Sequence, residues 1–231
     1  MFYVIFNGES SENLGLKIEH RPIIPVPEPD VEYIEVEGRD GSLTRKKGYQ
    51  DITIPIEFGA KHNNLPQLMR NIRAWLLEHR SKELIFSDDL DYFYKVKAIR
   101  CGNIERELKS IGKFTAEFIC DPFQYMQSGK DTITLTAPDT IHNLGTRYSE
   151  PSIKIYGSGD VVLWVGNTGV AITDIDEYIE INTVLKDVYK GTILQTNKMQ
   201  GKFPILEPGE INIDWIGNIT KVEITPNWRC L

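Results

Sequence analysis

The chain is predicted to be mainly β: a first domain in which one amphipathic helix lies over a sheet, then an all-β second domain. Three observations predict this. Ile52, Ile54, Ile56 and Phe58 alternate with polar residues, the period of a strand with one buried face. Leu65, Leu68, Met69, Ile72, Trp75 and Leu76 instead recur at spacings of three and four, a single helical stripe over Asn64 to His79. From Pro151 onward, short apolar alternations are separated by Gly, Asn and Asp with no helical pattern, as in a sandwich or barrel.

Taken in order, Phe2 to Phe6 reads as a strand closed by Asn7-Gly8, and Leu14 to Glu19 as a short second one. Pro22, Pro25, Pro27 and Pro29 deprive Arg21 to Asp30 of amide donors, which predicts an extended, exposed connector. Val31 to Glu37 is strand-like. A hairpin-like loop, Gly38 to Gly48, follows, with Asp40-Gly41 as its turn because glycine accepts positive φ without cost. Asn63 or Asn64 caps the helix, and Pro66 fits its first turn. Glu83 to Phe86, Tyr92 to Arg100, Ile104 to Glu107 and Gly112 to Ile119 read as strands, the last stopped by Asp121-Pro122. The polar stretch Gln127 to Asp131 is the expected linker, giving domains 1–130 and 131–231.

In the second domain, strands are expected at Thr132 to Ala137, Ile153 to Tyr156, Val161 to Val165, Ala171 to Ile172, Tyr178 to Asn182 and Val188 to Leu194. Gly157-Ser158-Gly159 reads as a hairpin turn. Ile211, Ile213 and Trp215, then Val222 and Ile224, predict two terminal strands joined by a tight turn at Gly217-Asn218.

The 231 residues carry 26 Lys+Arg against 33 Asp+Glu, a net charge of −7 that gives no attraction to a phosphate backbone. The part after Lys130 is the more acidic. Cys101, Cys120 and Cys230 form no CxxC pair and read as small buried hydrophobes rather than a disulfide framework. The apolar opening MFYVIFN has no basic leader, and no run is long enough to span a bilayer, so no export signal or membrane insertion is expected.

Residues that carry chemistry are scattered. His20, His62, His79 and His142 make no metal-ligand spacing, and Asp174, Asp176 and Glu177 lack the glycine and terminal glutamate of a calcium loop. There is no GxSxG elbow, and no pair of carboxylates stands out. The expectation is no catalytic residue, no metal and no cofactor. Two features remain as contact candidates. Arg39, Asp40, Arg45, Lys46 and Lys47 make the densest basic neighbourhood, readable as a solvated loop or as a subunit contact meeting an acidic patch on a neighbour. Nucleic-acid contact is disfavoured, since no aromatic residues are interleaved. Of the three tryptophans in the second half, Trp164 and Trp215 sit in strand alternations and are expected in the core, whereas Trp228 is the candidate exposed aromatic contact.

Four segments carry a family resemblance: the opening strand to Asn7-Gly8 with Leu14-Gly15-Leu16; GRDGSLTRKKGYQDITIPIEF (Gly38 to Phe58); KFTAEFICDPFQY (Lys113 to Tyr125); and PSIKIYGSGDVVLWVGN (Pro151 to Asn167) with the terminal FPILEPGEINIDW and ITPNWR. In order and spacing they resemble the distal tail proteins of long, non-contractile-tailed bacteriophages. Asn182 departs from the aspartate that closes its strand in that pattern. The resemblance implies a virion tail-tip hub assembled in the host cytoplasm. Its first domain would form a homo-hexameric ring between the major tail (tube) protein and the tail-associated baseplate protein, with DNA passing through unbound. Its second domain would be a galectin-like sandwich outside the ring, able to hold receptor-binding proteins. The alternative reading is a carbohydrate-binding host-recognition module built on that sandwich, and a galectin-like fold does not by itself imply sugar binding.

Overall fold

The computed structural model describes residues 2–60, 64–78 and 81–231. The chain is mainly β and divides into two compact units, Met1–Gln124 and Tyr125–Leu231.

The first unit contains β1 (Val4–Phe6), β2 (Glu9–Ser10), β3 (Leu16–Lys17), β4 (Pro29–Ile34), β5 (Leu43–Tyr49), β6 (Ile52–Ala60), α1 (Leu65–Leu77), β7 (Glu83–Phe86), β8 (Asp89–Cys101), α2 (Ile104–Ile111) and most of β9 (Lys113–Met126). Its main sheet runs β2-β1-β7-β8-β9-β6-β3. The two ends of that order, β2 and β3, are joined by only five residues, and the Leu16 amide donates to the Ser11 carbonyl at 3.0 Å. Strands about 4.8 Å apart would carry the ends of a flat sheet of this size well beyond such a short link. The sheet therefore curls around its core. Ile52, Ile54, Ile56 and Phe58 of β6 and Phe114, Ala116, Phe118 and Cys120 of β9 are buried there, paired residue for residue in antiparallel register.

Helix α1 begins where Asn64 Oδ1 accepts from the Gln67 amide, with Pro66 in the first turn. Asn63 and His79, the outer limits suggested by sequence, lie outside the described residues. The stripe of Met69, Ile72, Trp75 and Leu76 is buried. Trp75 fixes it: the ring meets Phe6 and Phe58 edge-on, and the indole N–H donates to the Phe6 carbonyl at 2.8 Å.

Three expectations for this unit are corrected. Ile104 to Glu107 is not a strand but the start of α2, because Asn103 Oδ1 caps the Arg106 amide and left-handed Gly112 ends the helix. Ile104 and Leu108, four apart, are buried. Asp121-Pro122 does not stop β9, which runs to Met126. Pairing with β6 ends at Cys120, so Pro122 lies beyond that ladder and leaves none of its hydrogen bonds unmade. Lastly, the loop expected from Gly38 to Gly48 is shorter, since Leu43–Tyr49 is strand β5.

The second unit contains β10 (Ile133–Leu135), β11 (Asp139–Asn143), β12 (Ser152–Val165), β13 (Thr168–Asn182), β14 (Asp187–Lys190), β15 (Ile193–Leu194), β16 (Met199–Gly201), β17 (Gly209–Thr225) and β18 (Arg229–Cys230). Three long strands, ordered β17-β12-β13, each serve two layers. In one layer they pair with β10 and β14, in the other with β11 and β16. Both layers contribute to one core, in which Ile153, Ile155, Ile179, Ile181, Val222 and Ile224 join Leu163, Val165, Val170, Ile172, Ile211 and Ile213. The unit is one sheet folded back on itself.

The fold line replaces two expected turns. Gly157 to Gly159 and Gly217-Asn218 do not reverse the chain, because β12 and β17 stay paired on both sides of them, with bulges in the register. A Cβ on Gly157 would lie 2.1 Å from the Asn218 carbonyl oxygen, so glycine is needed for backbone approach at the corner. The strands expected at Ala171 to Ile172 and Tyr178 to Asn182 are likewise one strand, β13, with left-handed Asp174 and Glu177 at its bend. The expected linker is a 3-10 turn, Gln127–Lys130. Gly129 is buried there against the Asn227–Trp228 backbone, and the Asn227 amide donates to its carbonyl at 2.8 Å.

Candidate functional site

The strongest candidate is an arm, residues 28–50, closed at its base where the Gln50 amide donates to the Glu28 carbonyl at 2.9 Å. Within it β4 and β5 form a separate two-stranded antiparallel sheet, running from Pro29↔Tyr49 to Ile34↔Leu43. Val31, Tyr33 and Thr44 supply β-branched and aromatic strand formers, and Gly38 and Gly41 take positive φ in the connection. A bulge at Asp30/Val31 leaves Lys47 without a cross-strand partner, and its ammonium instead meets the Glu32 carboxylate at 3.3 Å.

No residue of this arm is buried. Tyr33 is 70% exposed, and Ile34, Val36 and Leu43 are also open to solvent. The preceding proline-rich connector adds Ile23 and Val26, at 83% and 85%. At the base, Tyr49 and Phe123 meet edge-on, and Arg21 is fixed by Asp88 at 2.6 Å. The arm is thus rooted on the curled sheet while its length has no core beneath it. An isolated two-stranded hairpin is marginally stable in water, so this one gains from any surface that covers it.

The arm gathers every residue of the basic neighbourhood singled out in the sequence. Arg39 and Asp40 sit in the connection, where the Arg39 amide donates to the Val36 carbonyl at 3.2 Å, and Arg45, Lys46 and Lys47 lie along β5. The basic run is therefore on a strand with fixed register, not in a loop.

Trp228 is corrected. It is 4% exposed and belongs to the core of the second unit, so it is no surface contact. Left-handed Asn227 turns the chain inward just before it, and the Trp228 carbonyl accepts from the Met126 amide at 3.0 Å. Trp164 and Trp215, expected in the core, are only half-buried.

Other clusters of polar groups are internally satisfied. Asp174 pairs with Lys198 at 3.0 Å and Asp176 with Lys190 at 3.1 Å, so lysines occupy the acidic turn. On the outer face of the folded sheet, Lys221 lies 4.0 Å from the Tyr156 ring centre and Lys154 the same distance from Tyr178. One face of each ring is thus already covered by an ammonium. Hydrogen bonding to Glu180 and Glu223 raises the pKa of Lys154 and Lys221 respectively, holding both charged. A cleft of about 290 Å³ beside α1 is lined by Asn7, Glu9, Asn71, Trp75 and Glu78, but Asn7 spends its amide on the Trp75 and Glu78 carbonyls. Burial pushes the Cys120 thiol up to about 12, which makes it inert rather than nucleophilic.

Residues 10–120 match the phage tail protein RIFT-related domain, almost the whole of the first unit. The first unit thus carries a phage tail protein RIFT-related domain. The fold of the chain is similar along 97% of its length to the Dit hub protein of phage SPP1, at a TM-score of 0.65, 14% identity and 98% coverage of that chain. Two structures of the phage p2 baseplate in its activated conformation, with Ca and with Sr, match at TM-scores of 0.45 and 0.47. Their identities are 11% and 12%, with 96% of both chains covered in each case. No curated protein matches the chain in sequence.

Proposed function

We propose that this protein is the hub of a siphophage tail tip, acting as a homo-hexameric ring between the tube protein and the tail-associated baseplate protein. The second unit faces outward as the attachment point for receptor-binding proteins, and the ring forms in the host cytoplasm. The protein makes and breaks no bonds; it works by shape and self-association. One observation carries this reading: an ordered arm, residues 28–50, with exposed apolar side chains and no core of its own. Such an arm is stabilised when another surface covers it, and a ring supplies that surface from the neighbouring copy. The likeness of nearly the whole chain to a protein described as a hub adsorption apparatus supports the same reading. Native mass spectrometry over a concentration series tests it. The expected result is a species of six chains, and a monomer at every concentration, with and without tube protein, contradicts it.

A further inference from the structure

The arm separates its charges by strand. Asp30, Glu32, Glu35 and Glu37 follow one another along β4 and its continuation into the connection, whereas Arg45, Lys46 and Lys47 are consecutive on β5. Among the described residues of the arm only Lys47 finds an ion-pair partner, Glu32. The outer edges of both strands are unpaired, since β4 and β5 form a sheet of their own. The arm therefore has one acidic edge and one basic edge, each presenting free backbone amides and carbonyls.

We propose that the acidic β4 edge of one copy lies against the basic β5 edge of the next, so that assembly is head-to-tail. The inference rests on the ring reading and says which surfaces meet. Strand polarity agrees with it. Within one arm β4 and β5 are antiparallel, and a neighbour in the same orientation brings its β4 antiparallel to this β5. The ladder continues unchanged in kind from copy to copy. In an unshifted alignment Arg45 comes level with Glu32 of the next copy, its own cross-strand position within the arm. The alternative, a two-fold contact, sets β4 against β4 or β5 against β5 and juxtaposes like charges, which is unfavourable. Charge thus selects an open-ended contact that closes as a ring over one that stops at a dimer.

Charge reversal on the full chain tests this. One variant carries R45E, K46E and K47E; the other carries E32K, E35K and E37K. Each alone has two edges of one sign, and each is expected to need about tenfold or more higher concentration to assemble. An equimolar mixture restores complementary edges, with the two variants alternating, and is expected to assemble close to the unmodified level. Light scattering over a concentration series reads all three, and the unmodified assembly should weaken as salt rises. Either variant assembling normally alone, a mixture that stays dissociated, or indifference to salt overturns the inference while leaving the ring intact. An unmodified chain that never associates removes the ring reading itself.

Discussion

The arm of the first unit and the folded sheet of the second are both antiparallel ribbons interrupted by glycines, yet they solve opposite problems. In the arm, Gly38 and Gly41 adopt positive φ with no atom near the position of a Cβ, and the chain reverses. In the folded sheet, Gly157 and Gly217 sit where a Cβ would strike the Asn218 and Asp160 carbonyl oxygens, and the strands turn a corner without reversing. The arm buries none of its residues, while β12, β13 and β17 line a continuous core on both sides of their corner. A ribbon with its own core is finished within the subunit, and on the proposed reading one without a core is finished by a neighbouring copy.

The comparison predicts unequal responses to substitution. Trp228→Ala removes the largest side chain of the core to which β17 contributes and should destabilise the second unit by about 3–5 kcal/mol, read by denaturant unfolding. Gly157→Ala should cost about 3 kcal/mol or more through the clash at the corner, whereas Gly41→Ala meets no atom and should cost only about 1 kcal/mol, the strain of a Cβ at positive φ. A corner that accepts alanine without loss would contradict the account of the fold line.

Cys120 distinguishes the arm from the curled sheet on which it stands. With a thiol pushed from 9.0 to about 12 by burial, it should resist a maleimide at neutral pH until the first unit unfolds, as mass spectrometry would register. The unfolded thiol ionises near 9 and the folded one does not, so this contribution is complete below pH 9 and is lost as pH rises towards 12. Smallest is the arm's own effect on the monomer: Arg45→Ala and Lys46→Ala should each change unfolding free energy by no more than about 0.5 kcal/mol. On the proposed ring their effect belongs to association.

The same contrast explains what could be read from the residues alone. The α1 stripe, the β6 alternation and Asp40-Gly41 were legible because each depends on contacts close in sequence. The corner was not. Buried positions in β13 pass from Val170 and Ile172 to Ile175, Ile179 and Ile181, switching from even to odd numbers as the bulge inserts a residue. A strand that changes parity looks like two strands with a turn between them. Trp228 is misplaced for a related reason: the Met126 amide and Gly129 that pin its backbone lie about a hundred residues earlier. The arm's sequence was legible as a basic cluster, but the separation of acids and bases onto opposite strands emerged only with the register.

Hydrogen exchange of the arm amides, residues 28–50, in the free chain and in assembled tails tests most directly whether this protein is completed by copies of itself. Rapid exchange is expected in the free chain and strong protection in the tail, with the second-unit core protected in both. Arm amides that exchange as fast in the tail as in the free chain would contradict it.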